Sequence, residues 1–344
     1  MAEAPMSIGA EGSAVPSSRS VRHLNPISGK RVLVTGAAGF LGSNLCRRLQ
    51  SAGARVYGVT RRPAPDSAGT LTWIQADCSN PQVLRSTLRQ VQPQVIYHLT
   101  GCGVGSPDLE AVLPTLQNDL VACVNLLTVA AEIGSERTVL AASLEEPTGP
   151  DDSPASPYAA AKWSCSTYAR MFHHLFSTPV SLVRPYMTYG PGQRPHKIIP
   201  SVIISILKGR APELGSGRRP VDWVYVDDVV EGMIAVAETS GLEGVTIDLG
   251  SGTSVTIREV VNRIVALMGR QIEPRFSIHP DRPSEVIRIA DVVSAQALLG
   301  WTPKTPLEEG LRKTIEWYRN EISRGREPSG LLSTQERESI KAAS

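Results

Sequence analysis

The sequence predicts an α/β fold, a doubly wound parallel sheet with a smaller α/β unit in the C-terminal half. Two observations carry that prediction. Five apolar runs of strand type fall between Arg31 and Ser143, with helix-period segments among them. This is the rhythm of a parallel sheet covered by helices on both faces. The first run, Arg31-Val-Leu-Val-Thr35, opens into Gly36-Ala-Ala-Gly39-Phe-Leu-Gly42 and then into a helical pattern at Ser43, Asn44, Leu45 and Leu49. Strand, glycine turn and helix in that order present a helix N-terminus to a pyrophosphate.

Length and composition narrow the classes. A chain of 344 residues, 41% hydrophobic and 20% charged, reads as a soluble globular protein of one large domain or two joined ones. A net charge of +2 gives no argument for nucleic acid or an anionic membrane surface as partner. No apolar run approaches the roughly 18 residues of a bilayer span. Residues 1–28, rich in Ala, Ser, Gly and Pro, are expected to form a flexible leader without the apolar core of a signal peptide. Cys46, Cys78, Cys102, Cys123 and Cys165 are odd in number and lack metal-ligand spacing. Buried thiols in a reducing cytoplasm and no metal site are therefore expected.

The remaining elements follow in order. Ala54–Thr60 reads as a second strand running into Arg61-Arg62. In a Rossmann-type sheet the end of that strand meets the adenosine ribose, where an acidic residue holds the two hydroxyls of NAD. Thr60, Arg61 and Arg62 stand there instead and suit a 2′-phosphate, so NADP(H) is favoured, with NAD(H) remaining open. Leu71–Asp77 is the third strand, Val83–Leu88 a short helix, and Gln94–Thr100 the fourth strand, followed by Gly101-Cys-Gly-Val-Gly105. Leu113–Ile133 is read as one long helix, with Leu116, Leu120, Val124 and Leu127 at helical spacing. Thr138–Ser143 is the fifth strand. Downstream, Tyr158 and Lys162 lie four apart on one helical face. A tyrosine needs its pKa lowered by about 3 units to act near neutrality, which takes on the order of 4 kcal/mol, and an adjacent ammonium works in that direction.

The turn Thr35-Gly-Ala-Ala-Gly-Phe-Leu-Gly42, Ser143 and the Tyr158-Ala-Ala-Ala-Lys162 stretch together resemble the extended short-chain dehydrogenase/reductase family. The resemblance implies that Gly36, Gly39, Phe40, Leu41 and Gly42 hold the cofactor pyrophosphate. It places Asp77 and Cys78 beside the adenine, and Leu99, Thr100 and Gly101 along the ribose and nicotinamide. It implies that Ser143 binds the reacting oxygen, that Tyr158 moves the proton and that Lys162 also holds the nicotinamide ribose. His98 is expected to be structural.

Further motifs resemble the nucleotide-sugar branch of that family: Arg184-Pro-Tyr-Met187-Thr-Tyr-Gly-Pro191, Lys197-Ile-Ile-Pro200, Gly215 to Trp223, Val226-Asp-Asp228, Asp281-Arg282-Pro283 and Leu299-Gly-Trp-Thr-Pro303. Arg184, Met187, Arg219 and Arg282 are the implied substrate contacts, Arg219 and Arg282 toward a diphosphate. The pattern departs in two places. Leu144 fills a position that is Asp in the dehydratases, while Glu145 matches their Glu and is a candidate base. Met187 stands where relatives often carry Asn. Trp223 and Trp301 are read as core. The organisation implied is a leader (1–28), an NAD(P)-binding domain (29–190), a mainly substrate-binding part (191–322) and a loose tail (323–344), in a homodimer. The favoured reaction is reduction of an NDP-4-keto-6-deoxy sugar at carbon-4. The alternatives are a 4-epimerase, a 4,6-dehydratase or decarboxylase with retained cofactor, and a non-catalytic NADP(H)-binding scaffold.

Overall fold

The computed structural model describes residues 26–63, 71–101, 105, 107–149, 151–280 and 286–325. Most of the expected leader, Cys102, Arg282 and most of the expected tail lie outside them. The strands are β1 (Arg31–Thr35), β2 (Arg55–Thr60), β3 (Thr72–Gln75), β4 (Val95–His98), β5 (Arg137–Ala141), β6 (Val180–Pro185), β7 (Met187–Tyr189), β8 (Pro220–Val221), β9 (Trp223–Tyr225), β10 (Thr246–Leu249) and β11 (Val255–Thr256). Seven of them form one sheet in the order β10-β6-β5-β4-β1-β2-β3, with every pairing parallel. The chain winds outward from β1 in both directions, so a crevice opens at the carboxyl ends of β1 and β4. All residues of β4 and β5 are buried, as a sheet covered on both faces requires.

Helix α1 (Phe40–Ser51) follows β1 and buries Leu45, Cys46 and Leu49. Helix α2 (Pro81–Val91), longer than the expected Val83–Leu88, is capped by the Asn80 side chain. The third strand ends at Gln75 and the fifth at Ala141, so Asp77 and Ser143 stand just beyond their strands, Asp77 lining the crevice. The long helix is interrupted. A 3-10 turn (Leu109–Ala111) leads into α3 (Val112–Thr115), then a π-helical turn (Leu116–Val121), then α4 (Ala122–Ile133). The π turn shifts the helical register, and Asp119 within it is buried. Leu109–Ile133 has the length and apolarity of a membrane span, yet it carries this buried carboxylate, and α4 buries Leu126, Leu127 and Val129 in the core.

Helix α5 (Pro157–Phe176) begins sharply because Ser156 accepts the Ala159 N–H at 3.1 Å and Pro157 occupies the first position. The C-terminal half supplies α6 (Ile198–Leu207), α7 (Val226–Glu238), α8 (Ile257–Met268), α9 (Val292–Leu299) and α10 (Leu307–Ser323), with the small pairs β8–β11 and β7–β9. It also returns to the main sheet, since β10 pairs with β6. The apolar core is continuous from Val32 to Tyr318. The resembling motifs turn out to be joints. Asp222 accepts N–H groups from Ser251, Gly252 and Ala290. Asp228 accepts those of Lys304 and Thr305, and its carbonyl accepts the Trp301 indole N–H. Trp223 and Trp301 are buried, as the sequence suggests.

His98 has no exposure to speak of, and its Nδ1 lies 2.8 Å from Thr35 Oγ1. Burial and the Lys162 ammonium push its pKa down to about 3. An unfolded chain takes up a proton there near pH 6.5, whereas the folded chain does not. His98 therefore favours the folded state above pH 6.5, and that contribution is lost as pH falls from 6.5 toward 3. Thermal midpoints followed from pH 7 to 4 are expected to fall in this window, and to fall less in His98→Asn, measured relative to each protein's own value at pH 7.

Candidate active site

The crevice is a groove lined by the glycine turn, the ends of β2 and β3, the start of the β4 loop and the π turn. Gly36 adopts φ +69°, and a Cβ on it would lie 2.9 Å from the Leu99 carbonyl. A Cβ on Gly42 would lie 2.1 Å from the Gly36 oxygen. Both positions therefore need glycine for β1, β4 and α1 to approach so closely. Gly39 caps α1 with no side-chain hydrogen bond, which leaves the first N–H groups, at Phe40 and Leu41, for an anionic ligand. Three arginines, Arg61, Arg62 and Arg194, line the groove against one carboxylate, Asp77. Asp77 uses Oδ1 on the Ser79 backbone and hydroxyl while remaining exposed to the groove. Arg61 donates to Asn118 Oδ1 of the π turn, so it bridges the groove; Arg62 is exposed. Thr60, Cys78, Thr100 and Gly101 line the same groove. These residues fit a dinucleotide: an uncapped helix end for its phosphates, and basic side chains at its adenosine end.

The residues expected to be catalytic come together just beyond the end of β5. Lys162 is buried and donates from Nζ to the Ala141 carbonyl at 2.9 Å. Its ammonium stands 5.9 Å from the centre of the Tyr158 ring. Ser143 is buried, and its hydroxyl accepts the Glu145 N–H at 3.2 Å and acts to lower the Tyr158 pKa. Tyr158 is half-buried. Burial works against charge on Lys162, but Tyr158 and Asp119 outweigh it and hold the ammonium well above the ordinary lysine range. The phenol departs from the expected lowering. Burial raises it, Lys162 and Ser143 pull it back, and Glu145 and Asp119 raise it again, so the net direction is upward. The sequence displays the lysine but neither the desolvation nor the second carboxylate.

Known proteins are similar to this chain in sequence and in fold. Residues 32–250 match the model of the NAD dependent epimerase/dehydratase family. The chain is 32% identical to a UDP-glucose 4-epimerase of Mycolicibacterium smegmatis over 84% of its own length and 99% of the relative. The chain belongs to this family. It is an enzyme, as the family is. A dTDP-glucose 4,6-dehydratase of Haemophilus influenzae is 26% identical over 83% of the chain and 97% of the relative. Among solved structures, a UDP-glucuronic acid 4-epimerase from Bacillus cereus, in complex with UDP-glucuronic acid and NAD, superposes with a TM-score of 0.74. It is 25% identical, over 84% of this chain and 99% of that one.

In this family member the loop after Ser143 holds two glutamates with different surroundings. Glu145 is half-buried, and its Oε2 lies 2.5 Å from where a Cβ on Gly105 would be. Its charge acts on Tyr158. Glu146 is buried and faces Arg184 Nη2 at 3.9 Å. Arg184, expected at the substrate, is held by Asp248 at 2.7 Å, so its guanidinium joins β6, β10 and the catalytic loop. Met187 is half-buried against the core, and its N–H donates to the Asp222 carbonyl. Arg219 is half-buried at the start of β8, its carbonyl accepting the Ile257 N–H. Asp119 and Glu146 escaped the sequence reading. The stretch Leu113–Ile133 carries two charged residues, Asp119 and Glu132, and the sequence does not separate the buried one from the exposed one.

In cofactor-loaded enzyme, Lys162→Met removes the ammonium beside Tyr158. The alkaline-going rise of kcat/KM should then move to higher pH, with kcat at pH 7 falling by about 10²-fold or more. Asp119→Asn removes a negative charge facing both groups and should move the rise to lower pH. Paired pH–rate profiles check both directions.

Proposed function

We propose that the chain transfers a hydride at carbon-4 of a nucleoside-diphosphate sugar, with 4-epimerisation as the net reaction. The observation that carries this reading is the buried Lys162 ammonium, 5.9 Å from the centre of the Tyr158 ring and held on the Ala141 carbonyl, next to Gly101 of the groove and beside Ser143. Relatives named for UDP-glucose and dTDP-glucose support a nucleotide-sugar substrate. The nicotinamide supplies the acceptor and donor of hydride when bound. Tyr158 takes the proton of the carbon-4 hydroxyl and later returns it, while Ser143 holds the oxygen. Lys162 keeps the phenolate within reach and binds the ribose. Leu144, apolar where the dehydratases have Asp, weighs against dehydration; Glu145 remains the candidate base should dehydration occur.

A specific observation favours a second reading. Arg61 and Arg62 meet the adenosine end of the groove with no acidic residue at the end of β2. That favours NADP(H), and with it the reduction of an NDP-4-keto-6-deoxy sugar by exchangeable NADPH. In either case residues 29–190 serve the cofactor and 191–322 mainly the substrate, with Arg282 and Arg219 toward its diphosphate. The homodimer is supported by an apolar groove with Val112, Leu116 and Leu120 on one side and Ala160 and Ser164 of α5 on the other, flanked by the exposed Leu109 and Leu113.

Denaturing the purified protein and identifying any released dinucleotide separates the two. Stoichiometric NAD, with UDP-glucose converted to its 4-epimer without added cofactor, is the expected result. An empty protein that consumes NADPH only with a 4-keto sugar supports the reductase. Tyr158→Phe should lower turnover by roughly 10³-fold or more in both; unimpaired turnover would overturn the carbon-4 reading altogether.

A further inference from the structure

We infer that Glu146 is a positioning residue, one that pins the catalytic loop to the catalytic helix and so sets where the Ser143 hydroxyl stands. Ser143 lies two residues past the end of β5, where the ladder no longer fixes the backbone. Glu146 closes that loop in both directions. Its N–H donates to the Ser143 carbonyl at 3.3 Å, and its Oε1 accepts the Ser143 N–H at 2.8 Å. The same Oε1 accepts the Ser166 hydroxyl at 3.0 Å. Ser166 is on α5, four residues beyond Lys162 and eight beyond Tyr158, hence on the face that carries both. One carboxylate oxygen thus joins the residue that holds the substrate oxygen to the helix that moves its proton.

The surroundings argue that this is more than packing. Glu146 is 2% exposed, and a buried carboxylate is costly unless its oxygens are satisfied. An apolar side chain would fill the space without that cost. Its second oxygen faces Arg184, which is tied to Asp248, and its backbone carbonyl accepts the Arg288 guanidinium at 3.0 Å. The loop is therefore braced from β6 and from the segment after residue 285 as well as from α5.

The inference rests on the carbon-4 reading for its kinetic consequence but not for its geometry, so two readouts are taken on the full, cofactor-loaded chain. The first is amide hydrogen exchange of the peptide spanning residues 142–149. The second is turnover of UDP-glucose. Glu146→Leu keeps the volume and loses the acceptor. It should raise exchange in that peptide about tenfold and lower kcat by roughly 30- to 100-fold, with KM within about twofold, since a misplacement near 1 Å costs up to about 10² in rate. Its thermal midpoint should fall by several degrees, because the buried Ser143 N–H and Ser166 hydroxyl lose their acceptor. Glu146→Gln, whose amide oxygen still accepts both donors, should keep kcat within about threefold and exchange unchanged. If Glu146→Leu does not fold, Ser166→Ala removes one donor and should still raise exchange and lower kcat about three- to tenfold.

Wild-type exchange in Glu146→Leu, or in Ser166→Ala where that variant stands in, would overturn the inference, as would an equal loss of kcat in Glu146→Gln and Glu146→Leu. A wild-type enzyme inert toward nucleotide sugars would sink the carbon-4 reading alone, with exchange still deciding the role of Glu146.

Discussion

A buried ammonium needs oxygen around it, and the requirement at Lys162 organises this site. The Ala141 carbonyl at the end of β5 meets it directly, and Asp119 and Tyr158 add negative character nearby. Three elements that are distant in sequence, a strand end, a π turn and the first turns of α5, converge on one nitrogen. The sheet fixes the first, Ser156 and Pro157 fix the start of the third, and the break in the long helix brings the second inward. Tyr158 inherits its environment from that convergence. Its phenol answers to burial first and to Lys162 second.

The other half of the chain is joined to this centre by buried carboxylates as well as by the continuous apolar core. Asp222 and Asp228 each gather backbone N–H groups from segments far along the chain. Asp248, on a strand contributed by the C-terminal half, holds the Arg184 guanidinium and the Tyr186 hydroxyl. Backbone donors and guanidinium groups are what permit carboxylates to be buried at all. The part of the chain expected to bind substrate is therefore built onto the same sheet that carries the cofactor groove.

Much of this was legible in the sequence. Gly36 and Gly42 were readable because no other residue tolerates their contacts. Tyr158, Lys162 and Ser143 stood out because their spacing resembles a known chemistry, and His98, expected to be structural, is buried against the Thr35 hydroxyl. What stayed hidden depends on which side chains meet across elements. Helical periodicity in Leu113–Ile133 carries no sign of a π turn, so the inward aim of Asp119 was invisible. Two consecutive glutamates look alike in a string of letters, yet Glu146 is buried and Glu145 borders the cleft. Arg184 looked available for a ligand because its partners, Asp248 and Glu146, sit on other strands and loops.

The bond between Arg61 and Asn118 crosses the groove from the end of β2 to the π turn. While it is made, the end of β2 and the π turn are held to each other across the groove. The far end of the bridge belongs to the segment that also carries Asp119. Any change that straightens that turn would therefore act at once on the bridge across the groove and on the carboxylate that supports the Lys162 charge.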